Sequence, residues 1–200
     1  MKYIIENAIR KSFSYQAYRD LHKKLVAEKR TTGDDQSDAH IAFTKLNHSR
    51  SNRWEKKYTP SIDFSALNPE EKEIWLVIAE PWCGDAAQNV PAINKIAEQM
   101  SNVSLRLVLR DENPALMDQF LTNGGRSIPK LIRLNQNTLE VMDTWGARPK
   151  AAAFLLEDYK SNPEISKEMF NENMARWYVE NNGAAIEADL AEMLSATVLV

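Results

Sequence analysis

Ile74-Trp75-Leu76-Val77-Ile78-Ala79-Glu80-Pro81-Trp82-Cys83-Gly84-Asp85-Ala86 is the stretch that decides how this 200-residue chain is read. Its first six residues form an unbroken apolar run, bounded by charge and by Pro81, as in a short strand buried on both faces of a parallel sheet. From Gly84 to Met100, the residues Val90, Ile93, Ile96, Ala97 and Met100 recur at helical spacing, with Pro91 removing one backbone hydrogen bond and bending the helix. Cys83 therefore falls at a strand-to-helix junction. Unpaired N–H groups and the positive end of the helix dipole favour thiolate there, while the charge of Asp85 opposes it, so a reactive but not extreme thiol is expected. The competing reading of a lone cysteine is a small apolar residue in the core.

Working outward, Leu105 to Leu109 is the next strand, Asp111 to Pro114 a turn and Ala115 to Leu121 a short helix. After Gly124-Gly125, Lys130 to Leu134 and Leu139 to Thr144 flank Asn135-Gln136-Asn137, a connection short enough to imply an antiparallel hairpin. Pro149 then opens a helix through Phe154, Leu155 and Tyr159, and two more follow on either side of Asn181-Asn182-Gly183. The first carries Met174, Trp177 and Tyr178, the second Ile186, Leu190 and Leu194. Upstream, Tyr18, Leu21, Leu25 and Val26 predict a helix from Tyr15 to Arg30, stopped by Thr31 to Asp35. A second helix runs from Ser37 or Asp38 towards Lys57, with Ile41, Leu46 and Trp54 as its buried positions and Pro60 after its end. Trp54, Trp177 and Tyr178 are read as core aromatics.

Composition narrows the function classes. Hydrophobic residues make up 44% and charged residues 26%, values of a folded globular chain. The net charge of −3 divides into +6 over residues 1–60, −4 over 61–160 and −5 over 161–200. A basic start and an acidic end attract each other within one fold, and no nucleic-acid footprint is read from them. No apolar run approaches a membrane span, and neither leader nor anchor is expected. One cysteine beside His22, His40 and His48 supplies neither a disulfide framework nor a structural zinc set, so a cytoplasmic protein without metal or cofactor is expected.

The motifs together resemble the thioredoxin superfamily. Trp82-Cys83-Gly84 is similar to the start of the WCGPC pattern, and Pro91 stands where that family bends its active-site helix. Arg126-Ser127-Ile128-Pro129 resembles the segment with the cis-proline, and Trp145-Gly146 the glycine after the last strand. The resemblance runs from about Ile74 to Lys160 and implies a thioredoxin-like α/β sheet with flanking helices. Residues 1–68 would be a helical N-terminal extension, 69–160 the core and 161–200 a helical tail packed on it. It implies Cys83 as attacking thiol, exposed beside Trp82, with Gly84 and Asp85 beside it. Pro129 would be cis and leave the Ile128 backbone free to pair with an extended substrate.

The departures are equally specific. The second cysteine of the pattern is replaced by Ala86, and the family's buried acid and its partner lysine correspond to Val77 and Leu107. A disulfide attacked by Cys83 then has no resolving thiol within this sequence. The expected function is monothiol exchange with a protein or low-molecular-weight thiol or disulfide, an external thiol acting as resolving partner. A binding or chaperone module that keeps the groove, and a sulfenic-acid sensor or peroxidase, are the alternatives. A cluster carrier lacks its CGFS motif, and a Cys–His hydrolase needs one of the three histidines over Cys83.

Asn47, Arg50, Trp54 and Lys57 follow three- and four-residue steps, with Arg53 beside them. They read either as a polar patch towards the substrate of Cys83 or an anionic thiol, or as a face whose arginines pair with acidic residues of the C-terminal third. Thr44 to Asn47 and Arg50 to Trp54 also resemble the N-terminal extension of a bacterial thioredoxin-family subgroup with WCGDA in place of WCGPC.

Overall fold

β1 (Glu73–Ala79) is central in a four-stranded sheet, between β2 (Val103–Leu109) and β3 (Lys130–Asn135), with β4 (Val141–Gly146) on the far side of β3. In this computed structural model, which describes residues 1–195, β1 and β2 are parallel whereas β3 is antiparallel to both β1 and β4. Every residue of β1 except Ile74 is buried, as its unbroken apolar run requires. The outer edge of β2 meets Phe13, which exchanges two backbone hydrogen bonds with Leu107 at 2.8 and 2.9 Å and so covers part of an otherwise open edge.

The helices are α1 (Lys2–Arg10), α2 (Tyr15–Ala27), α3 (Asp38–Lys57), α4 (Gly84–Ala97), α5 (Pro114–Met117), α6 (Ala153–Ser161), α7 (Lys167–Asn181) and α8 (Ala184–Ser195). One core joins the sheet to α4 and takes in Ile5 and Ala8 of α1, Tyr18 of α2, Trp54 of α3 and Ile186, Leu190 and Leu194 of α8. A smaller cluster, with Phe170, Met174 and Tyr178 of α7 at its centre, holds α6 to α7.

Pro91 sits inside α4 and cannot donate to the Ala87 carbonyl one turn back. Ser51 of α3 supplies the missing donor, its hydroxyl lying 3.2 Å from that oxygen. α3 begins at Ser37, whose hydroxyl accepts from the His40 N–H.

Two expectations about the helices need correction, and one helix was not expected. α2 ends at Ala27, before Thr31, because Lys29 turns left-handed at φ 53° and the Arg30 N–H returns to the Leu25 carbonyl. On α3 the buried residues are Thr44, Asn47 and Trp54, whereas Leu46 is exposed and Ile41 only half-buried. The face turned inward is partly polar because its neighbours offer hydrogen bonds. Thr44 meets the Thr31 hydroxyl at 2.6 Å, and Asn47 donates to the Pro81 carbonyl at 3.1 Å. α1 was not anticipated, although Ile4, Ile5, Ala8 and Ile9 recur at helical spacing and pack on the core.

Candidate functional site

The turn between β1 and α4 carries Trp82 and Cys83. Cys83 is the N-cap of α4, and its sulfur lies 3.5 Å from the Ala86 N–H, which donates to it. On its other side the thiol donates to the Ile128 carbonyl at 3.3 Å. The Ile128-Pro129 peptide is cis, and so is Gly146-Ala147. Gly146, at φ 122°, ends β4 against this loop. A Cβ there would stand 2.2 Å from the Pro129 carbonyl oxygen, so both the backbone conformation and the close approach require glycine. Trp82 is held edge-on by His40, with ring centroids 5.6 Å apart, and by the Arg110 guanidinium 4.6 Å from its ring centre.

Cys83 is among the residues lining a cleft of about 310 Å³. α7 supplies one wall, through Phe170, Met174 and Tyr178, so this C-terminal helix flanks Cys83. Cys83 is consequently only 9% exposed, against the expectation of an exposed thiol. Burial pushes its thiol up to about 12, and Asp85 adds to the rise. The N–H groups of Ala86 and Asp85 and the charge of Arg148 oppose it without prevailing. The expected bias towards thiolate is thus overturned in this conformation, because desolvation outweighs the helix terminus.

Asp85 ties α7 to α4. Its carboxylate meets Arg148 at 2.6 Å and accepts from the Tyr178 hydroxyl at 3.0 Å. Asn89 donates both to that hydroxyl, at 2.8 Å, and to the Asp85 carbonyl, at 2.9 Å. Burial raises the Asp85 carboxyl, with Arg148, Tyr178 and Arg50 pulling in the opposite direction. Tyr178 is buried as expected for a core aromatic, but its hydroxyl belongs to this network. Trp54 is also buried, while Trp177 is only partly so.

The structure brings Trp82, Cys83, Gly84 and Asp85 to the cleft. Ile128 and Pro129 stand behind the sulfur, buried and outside the cleft lining, so the Ile128 backbone is not free for an extended chain in this conformation. The patch on α3 divides. Arg50 lies over Gly84, its Nη1 3.5 Å from the position of a glycine Cβ, whereas Asn47 braces Pro81 and Arg53 and Lys57 line a separate small pocket. Among the described residues Arg50 and Arg53 have no carboxylate partner within 4.0 Å, so the expected pairing with the acidic C-terminal third does not form there. Arg148, Lys167 and Phe170, which also line the cleft, were not singled out from the sequence. Arg148 had a usable signal, since it follows Gly146 by two positions; Lys167 and Phe170 had none.

Val77 and Leu107 are adjacent, buried partners across β1 and β2, so no acid–lysine pair stands at those positions. Glu80 is buried nearby, and its carboxylate is engaged by the Thr32 hydroxyl and by the Asp111 N–H at 2.9 Å. Burial pushes it up to about 7.

A strand-turn-helix bearing one cysteine opposite a cis-proline, on a sheet of this order, defines a thioredoxin-like protein. The chain belongs to the thioredoxin family, whose family model matches residues 33–160. It is 38% identical over 71 residues to Thioredoxin 1 of Synechococcus elongatus, a match covering 35% of this chain and 63% of that relative's length. Two solved structures are similar over 92% of this chain and 99% of their own. One is a protein of unknown function from Pseudomonas aeruginosa, with a TM-score of 0.55 and 16% identity. The other is an HIV epitope-scaffold, with a TM-score of 0.54 and 17% identity. At these identities the likeness is one of fold.

Proposed function

We propose that this protein carries out monothiol thiol–disulfide exchange, with Cys83 as the exchanging sulfur and an external thiol as resolving partner. Family membership supports thiol–disulfide chemistry in general. The observation that carries the narrower reading is Cys83 lining a cleft, with Ala86 one helical turn away where a resolving thiol would be needed. In the exchange the ligand's S–S bond breaks, a new S–S bond joins Cys83 to one half, and the thiol proton leaves on the other half. A second external thiol then attacks the mixed disulfide and returns Cys83 to the thiol. A reducing compartment such as the cytoplasm would provide that thiol.

The high resting position of the Cys83 thiol favours a second reading, a binding module that uses the cleft without the sulfur. The two separate on incubation of the folded chain with 2-hydroxyethyl disulfide at pH 8. Exchange gives one adduct by intact mass, lost on adding dithiothreitol and absent from Cys83→Ser. A folded chain that stays unmodified while its urea-unfolded form reacts supports the module instead.

A further inference from the structure

We infer that the cleft selects a low-molecular-weight disulfide or thiol carrying carboxylate groups, which binds between Arg50, Arg148 and Lys167 with its sulfur against Cys83. The inference deepens the exchange reading by naming its substrate class, and rests on that reading for the chemical step alone.

Charge is the first argument. Arg50, Arg148 and Lys167 line the cleft against a single carboxylate, Asp85, an excess of two positive charges among its Arg, Lys, Asp and Glu residues, inside a chain whose net charge is −3. The excess is therefore local. Arg148 is engaged by Asp85, whereas Arg50 hydrogen-bonds the neutral Asn47 side chain, whose Oδ1 accepts at 3.1 Å, and meets the Asp85 charge only beyond 4.0 Å; Lys167 has no carboxylate within 4.0 Å among the described residues. Burial without a salt-bridge partner is costly for a guanidinium, and an anionic ligand would offset that cost. Low-dielectric walls from Trp82, Phe170 and Met174 strengthen such an attraction relative to bulk water.

Size is the second. About 310 Å³ lies at the lower end of small-molecule pockets, and α7 closes the side along which a polypeptide would be laid. The Ile128 carbonyl, the expected docking edge for an extended chain, instead accepts the Cys83 thiol. The occupant that fits is a small molecule with a sulfur at one end and carboxylates to reach the three cations.

Rate is the third. Burial and Asp85 push the Cys83 thiol up to about 12, so little of it is ionised near neutral pH and collisional exchange is slow. Holding the disulfide at the sulfur raises its effective concentration, which offsets that slowness.

Two arms test the inference separately from the exchange reading. In the first, 15N-labelled Cys83→Ser chain is titrated with S-methylglutathione, an anionic compound unable to exchange. The amides of residues 82–85 and the Arg50 side chain should shift saturably and lose that response in 0.5 M NaCl, and Arg50→Gln combined with Lys167→Gln should weaken binding at least tenfold. No saturable shift at these positions, with the spectrum otherwise that of a folded chain, overturns the inference whatever Cys83 does. In the second arm the wild-type chain meets oxidised glutathione, 2-hydroxyethyl disulfide and cystamine, each rate being divided by that of the urea-unfolded chain. The anionic reagent should exceed the cationic one at least tenfold, with the neutral one between. Equal ratios overturn the selectivity and leave exchange standing, whereas absence of any adduct on the folded chain removes the exchange reading.

Discussion

The sulfur of Cys83 is pulled in two directions by neighbours within one helical turn. Backbone N–H groups of α4 favour its anion, while burial and the Asp85 carboxylate favour the thiol, and the second pair prevails. Asp85→Asn keeps the acceptor for Tyr178 and removes the charge, so the Cys83 thiol should move down from about 12 and its iodoacetamide rate at pH 8 should rise severalfold. An unchanged rate would assign the whole rise to burial. Glu80 gives a second residue-scale prediction. Its carboxyl is raised from 4.5 to about 7 on folding, so the unfolded chain loses the proton first. The Glu80 contribution to stability is full below pH 4.5 and is lost as pH rises through 7, and Glu80→Gln should flatten that part of a urea-midpoint profile taken from pH 4.5 to 8. Cys83 and the opposition of Asp85 were both legible in the sequence, since each follows from position at a helix start. The outcome of their contest was not, because it depends on α7, some ninety residues further along the chain, as the Tyr178 contact measures.

At the scale of elements, periodicity identified β1, β2, the β3–β4 hairpin and α4, where the inward face is apolar. It misjudged α3, where Thr44 and Asn47 are fully buried and Leu46 faces out. An apolar count cannot recognise a polar side chain whose hydrogen bonds are completed by Thr31 and Pro81. The same applies to Arg133 of β3, which meets Glu73 of β1 at 2.6 Å and is 1% exposed. Elements also repair one another, as Ser51 of α3 does for the carbonyl that Pro91 leaves unbonded in α4. The end of β4 has no such tolerance. Gly146→Ala would place a methyl 2.2 Å from the Pro129 carbonyl at φ 122°, and a loss of roughly 3 kcal/mol or more in a denaturant titration is expected. A change under about 1 kcal/mol would contradict this packing.

Across the whole molecule, the thioredoxin core is joined to its terminal helices by buried polar contacts. Glu187 of α8 accepts from the Tyr58 hydroxyl and from the N–H groups of Ser61 and Ile62, fastening the C-terminal helix to the chain just before the sheet. Lys95 of α4 donates to the Glu55 carbonyl at the end of α3. The fold and the place of Cys83 at a strand-to-helix junction opposite a cis-proline could be read from Ile74 to Ala86 and from the Ile128-Pro129 and Trp145-Gly146 pairs. The cleft could not, since Arg50, Arg148 and Lys167 come from three distant parts of the chain and meet only when α7 folds over α4.

The most direct measurement is the iodoacetamide rate of Cys83 in the folded chain from pH 7 to pH 10.5, beside the same chain in urea. A thiol reachable through the cleft but held protonated gives a slow, measurable rate that climbs about tenfold per pH unit without a plateau, while the unfolded chain levels off above about pH 9. A plateau in the folded chain at or below pH 8.5, or no labelling at any pH while the fold persists, would contradict the account.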